Sequence, residues 1–298
     1  MNFKKISKLV AVSVVFGMLG TVVAGCGGGA KQENTGGAPT SGIKGSLQVK
    51  GSDTIVNLSQ AMAEDFMAKN PQATIAVTGG GSGTGIAALT NKTCDLANSS
   101  REIKAEEKAK IKEATGKDVK EYAIAMDGIG FIVNKENPVN ELTNEQLANI
   151  YTGKISNWKE VGGNDEKIVA LAREASSGTH VFVKEHLMKN QEYRADALLQ
   201  TSSASIAKEA ETNKQAIGYV GMGYLTDKVK VIAVKKDAGS PAVLPSEATV
   251  KDKTYPVSRP LYVYSAGEPE GLSKSFVDFM LSAEGQAIVK KMDFIAVK

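Results

Sequence analysis

The chain has 298 residues, 42% of them hydrophobic, with 36 Lys and Arg set against 33 Asp and Glu. Three of those lysines and none of the acids fall in the first 25 residues, so the rest is charge-balanced and offers no basic face of the kind nucleic acid requires. The two histidines, His180 and His186, do not share a helix face at ligand spacing, which argues against a zinc site.

The N-terminus reads as a targeting segment. Lys4, Lys5 and Lys8 precede an apolar run from about Leu9, which ends in Val23-Ala24-Gly25-Cys26. Small residues directly before a cysteine resemble a lipoprotein signal, with cleavage before Cys26 and lipidation of its sulfur. The apolar run is short for a membrane span. Residues 1–25 are therefore expected to be a signal peptide. Residues 26–45, the lipidated Cys26 and a stretch rich in Gly, Ser, Thr, Lys and Gln, are expected to form a flexible tether to the outer face of a bacterial cytoplasmic membrane. Cys94 is then the one remaining thiol, unable to make an intrachain disulfide and placed as a small core residue before a buried strand.

From there strand and helix alternate. Ser46–Gly51 predicts a strand, and Thr54–Lys69 a helix with Ile55, Leu58, Met62 and Phe66 on one face. Thr74–Thr78 is a strand, followed by a Gly-rich turn and a short helix at Gly85–Thr90. Asp95–Asn98 is a strand and Lys104–Ala114 a charged helix. Two long β runs, Tyr122–Asn134 and Tyr255–Ser265, bracket a second series. It comprises a helix at Asn144–Tyr151, a strand at Ile168–Ala172, helices at Thr179–Lys189 and Ser203–Thr212, and a strand at Ala216–Val220. One helical stretch, Leu272–Lys291, closes the chain. The expected fold is α/β and two-lobed, with residues 46–128 and 258–298 in lobe 1 and 129–257 in lobe 2. The two long runs cross between the lobes, forming a hinge and a cleft. A single doubly wound sheet is the alternative.

Three triplets stand at expected helix starts: Ser52-Asp53-Thr54, Ser82-Gly83-Thr84 and Ser177-Gly178-Thr179. Hydroxyls and unpaired N–H groups at the positive end of a helix suit a small oxyanion. Arg173 ends an apolar strand four residues before the third triplet, at the sheet edge where ligands bind in open α/β folds. Its planar guanidinium can hold two oxygens of one anion. The duller readings are a surface ion pair for Arg173 and helix caps for Ser177 or Thr179. The Gly79–Gly85 tract loosely matches a nucleotide loop, but no lysine follows it. No G-x-S-x-G elbow surrounds Ser82 or Ser177, so a serine hydrolase has little support. Asp53 is out of place beside an anion unless it accepts a hydrogen bond from the proton that hydrogen phosphate carries and sulfate lacks. Its duller role is an N-cap.

These residues resemble the phosphate-binding lipoproteins of bacterial ABC phosphate importers, the PstS type. The likeness runs through Lys50-Gly51-Ser52-Asp53-Thr54, Gly81-Ser82-Gly83-Thr84-Gly85, Asn98-Ser99-Ser100-Arg101, Tyr151-Thr152-Gly153-Lys154-Ile155-Ser156-Asn157-Trp158, Arg173 to Thr179, Gly218-Tyr219-Val220-Gly221 and Tyr255-Pro256-Val257-Ser258-Arg259-Pro260-Leu261. The resemblance implies a hinge-closing periplasmic-binding-protein fold of type II. Phosphate would lie between the lobes on Asp53, Thr54, Ser82, Ser100, Arg173, Ser177, Gly178 and Thr179, with Ser52 from the first triplet beside them. One departure concerns selectivity: the family pattern has its proton-accepting aspartate where this chain has Ser100, and a neutral hydroxyl residue where it has Asp53. Asp53 thus becomes the candidate acceptor. Arg101 is either a second cation on the ligand or a surface residue. The implied partners are inorganic phosphate and the permease subunits of an ABC importer, for a lipid-anchored monomer with no cofactor, no metal and no enzymatic activity. The rival readings are the same fold binding sulfate, molybdate or tungstate, and a secreted phosphatase.

Overall fold

The computed structural model describes residues 42–297; the expected signal peptide, Cys26 and most of the tether lie outside them. Among the described residues no helix is long and apolar enough to cross a membrane. The first series is β1 (Gly45–Gly51), α1 (Val56–Lys69), β2 (Ala73–Thr78), α2 (Ser82–Thr90), β3 (Leu96–Ser99) and α3 (Ala105–Thr115), and it leads into the long β4 (Val119–Val133). The second comprises β5 (Glu141–Thr143), α4 (Asn144–Thr152), β6 (Val169–Arg173), α5 (Gly178–Phe182), β7 (Leu198–Gln200), α6 (Ser203–Thr212), β8 (Ala216–Gly221), β9 (Lys230–Lys235) and α7 (Glu247–Lys251). The chain returns through β10 (Ser258–Ala266) to α8 (Gly271–Leu281) and α9 (Ala283–Lys291).

The main strand order is β2-β1-β3-β10-β4-β8-β6-β7, with β9 also paired to β4 and β5 to β9. β4 changes partners along its length. It pairs antiparallel with β10 up to Gly128, and with β8 from Ile129 onward. Each side of that switch has its own core. Leu47, Val49, Leu58, Met62, Phe66, Leu96 and Phe276 pack together on the first side. Phe131, Tyr151, Trp158, Val183 and Tyr219 pack on the second. The parallel neighbours β6 and β8 are buried along almost their whole length, which explains their largely apolar sequences. The fold is the two-lobed α/β architecture, with β4 and β10 crossing between the lobes.

The differences from the expected elements have local causes. α2 begins at Ser82 rather than Gly85 because Gly81, at φ 102°, turns the chain directly into the helix. This places the Ser82 hydroxyl and the Gly83 N–H in the first turn. The helix expected at Thr179–Lys189 starts at Gly178 and widens into a π-helical turn over Val183–Leu187. The closing helical stretch is two helices. Ser282 takes an extended ψ of 164°, and its hydroxyl caps α9 by accepting from Gly285 N. The short β5, β7 and α7 carry too few apolar residues to show a period, and β9 offers only a short apolar run between two lysines.

Candidate functional site

β1 and β3 are parallel neighbours, so their C-terminal ends set Ser52–Thr54 beside Ser100; Ser52 N donates to Asn98 O at 2.8 Å. The second lobe delivers α5 to the same place through β6 and the turn that follows it. Four hydroxyls meet there. Thr54 Oγ1 lies 2.9 Å from Thr179 Oγ1 and 3.4 Å from Ser100 Oγ, and Ser82 Oγ lies 3.3 Å from Ser100 Oγ. Ser100 N also donates to Ser82 Oγ at 3.0 Å. All four residues are at most 2% exposed. An apolar core has no use for such a cluster, since each buried hydroxyl needs a partner. Gly178 has no room for a side chain, because a Cβ there would stand 2.2 Å from Ser82 Oγ and 2.6 Å from Ser100 Oγ.

The glycine tract joins the lobes. Gly83 N donates to Ser176 O at 2.9 Å, and Ser176 Oγ donates to Gly80 O at 3.1 Å. A Cβ on Gly81 would stand 2.5 Å from Ser176 O, so the tract allows a close backbone approach across the cleft.

Two arginine–aspartate pairs flank the cluster. Arg173 and Asp53 face each other across the cleft, with Nη1 3.1 Å from Oδ2. Ser203 N, at the start of α6, donates to the same Oδ2 at 2.7 Å, and Tyr224 OH donates to Asp53 O at 2.8 Å. The rest of the Arg173 guanidinium is held within its own lobe by Gln200 O, Thr201 O and Ser203 Oγ. The second pair is Arg259 and Asp127, directly opposite one another in the β10–β4 ladder, with Nε and Nη2 donating to Asp127 Oδ2 at 3.2 and 3.0 Å. Met222 N donates to the other carboxylate oxygen at 2.9 Å. Burial pushes the Asp127 carboxyl up and the Arg259 guanidinium down, and their mutual attraction opposes both shifts. Arg259 also reaches the cluster: Nη1 donates to Ser100 O at 2.8 Å and Nη2 to Thr179 Oγ1 at 2.9 Å.

The other expected site residues sit differently. Arg101 makes a two-pronged bond to Glu107, at 2.8 and 2.7 Å, and also donates to Glu102 O, so both terminal nitrogens are taken, while its Nε is buried without a partner among the described residues. Ser177 caps α5, its Oγ accepting from His180 N at 3.4 Å. Ser52 Oγ is buried without a hydrogen-bond partner among the described residues. His180 shares a 2.7 Å hydrogen bond between its Nδ1 and Arg173 O, and its ring stacks on Tyr193. That nitrogen faces backbone rather than a serine hydroxyl. Cys94 is buried, and desolvation pushes its thiol up to about 12. Among the described residues no three or more His, Cys, Asp or Glu side chains are grouped to hold a metal. A cavity of about 890 Å³ lies elsewhere along the crossing strands, against Met126, Val250, Tyr255 and Ile295, and none of the cluster hydroxyls line it.

Asp127 and Arg259 were not singled out from sequence as site residues. Asp127 is the one charge between Tyr122 and Asn134 and Arg259 the one charge of β10, and only the antiparallel register makes them partners. That pattern was the available signal, because a charge in a buried strand needs a counter-charge.

A two-lobed α/β fold that brings buried hydroxyls from both lobes to one point defines a solute-binding protein. Residues 34–284 match the model of the PBP superfamily domain. The chain is 34% identical over 280 residues to "Phosphate-binding protein PstS" of Bacillus subtilis (strain 168), covering 93% of this chain and 90% of that one. It is 33% identical over 275 residues to the Staphylococcus aureus (strain USA300) protein of the same name, covering 89% and 81%. Among solved structures, a putative phosphate ABC transporter substrate-binding protein with bound phosphate from Clostridium perfringens superposes with TM-score 0.78 at 38% identity, covering 85% of this chain and all of that one. An ABC-type phosphate transport receptor from Vibrio cholerae gives 0.68 at 30% identity, with coverage of 84% and 99%. The chain belongs to the PstS family of phosphate-binding proteins within the PBP superfamily.

Proposed function

We propose that the protein captures inorganic phosphate outside the cytoplasmic membrane and delivers it to the permease of an ABC importer, as a monomer anchored through lipid on Cys26. The observation that carries this reading is the convergence of Thr54, Ser82, Ser100 and Thr179, drawn from both lobes, within 2.9–3.4 Å of their neighbours. Hydrogen bonds to a charged group contribute about 1.5–3 kcal/mol each. Four hydroxyls and the Gly178 N–H together supply about 7–15 kcal/mol, enough over most of that range for the ~8 kcal/mol that micromolar binding needs, with ligand desolvation and ordering absorbing any surplus. The lobes divide at 128/129 and 257/258, where β4 changes partner and β10 begins. Thr54, Ser82 and Ser100 then belong to one lobe and Gly178 and Thr179 to the other. Bound phosphate favours closure because only the closed state makes both sets of contacts.

Asp53 is assigned to closure. Its Oδ2 accepts from Ser203 N and pairs with Arg173, which commits its charge to the opposite lobe. Titration calorimetry with phosphate and sulfate on the chain lacking its first 26 residues tests the reading. Micromolar or tighter phosphate binding with sulfate at least ~100-fold weaker is expected; equal or tighter sulfate binding would replace phosphate with another oxyanion. Release of phosphate from a chromogenic phosphomonoester would argue for an enzyme instead.

A further inference from the structure

Arg173 stands out in the sequence as the anion-binding guanidinium, yet Arg259 is the one joined to the hydroxyl cluster. Its Nη2 donates to Thr179 Oγ1, and that hydroxyl lies 2.9 Å from Thr54 Oγ1, the contact that bridges the lobes. Its Nη1 donates to Ser100 O, on the opposite side of the cleft from Thr179. Arg259 is 1% exposed, and its ladder partner Asp127 is fully buried. The guanidinium also lies over the Phe182 ring, 5.5 Å from the centroid.

We infer that Arg259 is a direct ligand of the bound oxyanion and that Asp127 is its positioning residue, so the decisive cation of the site sits on the crossing strand β10. This rests on the oxyanion reading above. A long side chain held by the carboxylate opposite it and by Ser100 O enters binding with its rotamer already fixed, which removes an ordering cost. The pair is formally neutral, so the buried site carries no large unpaired charge when empty. An oxyanion that replaces the Thr54–Thr179 contact takes up the Nη2 hydrogen bond now given to Thr179. Charge-assisted bonds of this kind are roughly twice as strong as those from neutral hydroxyls. Lysine cannot substitute, because one ammonium cannot serve Asp127, Ser100 O and an anion in the planar geometry of the fork.

Three measurements test this. In a crystal structure of the wild-type protein with phosphate, an Arg259 guanidinium nitrogen is expected within about 3.2 Å of a phosphate oxygen; a closest approach beyond about 4 Å would overturn the assignment. Arg259→Lys, checked for a cooperative melt, is expected to weaken phosphate binding by at least ~30-fold, and unchanged affinity in the folded variant would overturn it. Asp127→Asn keeps the shape and loses the charge that fixes the fork. It is expected to weaken phosphate binding about tenfold, and a purely structural role would lower the melting temperature while leaving the dissociation constant unmoved. The wild-type titration separates this inference from the phosphate reading. A wild type that binds sulfate but not phosphate, with sulfate binding sensitive to Arg259→Lys, refutes the reading of the ligand and supports Arg259 as the oxyanion contact. A wild type that binds phosphate, with Arg259→Lys binding it equally well, does the reverse.

Discussion

The site holds two arginine–aspartate pairs of the same chemistry and opposite construction. Arg259 and Asp127 face one another on adjacent strands of one ladder, at 1% and 0% exposure. Arg173 and Asp53 face one another across the cleft, at 3% and 15%. Lobe movement does not separate neighbours in a ladder, so the first pair exists in open and closed protein alike. The second pair forms only when the lobes meet. The strand pair thus contributes to folding and pre-sets a guanidinium, whereas the cleft pair contributes to closure. A buried ion pair says little about function until the mobility of the elements carrying it is known.

The largest effect that separates them is on folding. Asp127→Ala leaves the Arg259 charge buried without its partner and is expected to cost about 3–5 kcal/mol of stability in urea melts. Asp53→Ala removes a partner that is partly exposed and whose Arg173 keeps its contacts to Gln200, Thr201 and Ser203. About 1–2 kcal/mol or less is expected. Equal losses would contradict the division between a permanent pair and a conditional one.

Between the pairs stands Gly178. Alanine there would press its methyl onto Ser82 Oγ, at 2.2 Å before relaxation, but only when the lobes are closed. The Gly178→Ala variant should therefore melt within about 1 kcal/mol of the parent while losing at least ~100-fold in phosphate affinity by calorimetry. A variant that binds normally would show that the lobes close less tightly on the ligand than on one another.

Asp53→Asn has a smaller expected effect and bears on what the carboxylate does. The amide oxygen can still accept from Ser203 N, while the charge facing Arg173 is lost. If Asp53 serves closure, phosphate and any sulfate binding should weaken together, by about tenfold. A selective loss of phosphate affinity, with the phosphate-over-sulfate ratio falling, would instead make Asp53 the acceptor for the phosphate proton.

Legibility in the sequence followed whether a feature was local. Ser203–Thr212 showed its helix plainly, because a hydroxyl cap and an apolar period lie within a few residues of one another. The triplets and the glycine tract were visible for the same reason: each is a local signal of a helix start or a close approach. Asp127 and Arg259 lie 132 residues apart, and nothing in either run indicates register. Arg101 illustrates the converse. Its position beside Ser100 suggested a ligand cation, but Glu107, six residues on, takes the guanidinium with both oxygens. Adjacency in sequence placed the backbone at the site and left the direction of the side chain open.

The smallest expected effect tests the cleft pair from behind. His180 Nδ1–H donates to Arg173 O at 2.7 Å, which requires the Nδ1-protonated ring. Burial holds the His180 pKa below its ordinary 6.5 and outweighs the contribution of that hydrogen bond. As pH falls through 6.5 the unfolded chain takes up the proton first, so it binds more protons than the folded protein and stability declines. Above 6.5 both states carry a neutral ring and the contribution is constant; below the folded pKa both are charged and the loss levels off. Melts without phosphate should therefore show a modest fall in stability between pH 7 and pH 5, and His180→Asn should remove the part due to this ring. The same variant should leave the folding contribution of Asp127 and Arg259 untouched, because His180 bonds to the Arg173 backbone and has no hydrogen bond to either of them. Loss of the pH slope together with an altered cost for Asp127→Ala would mean that the two pairs are coupled through the site rather than independent.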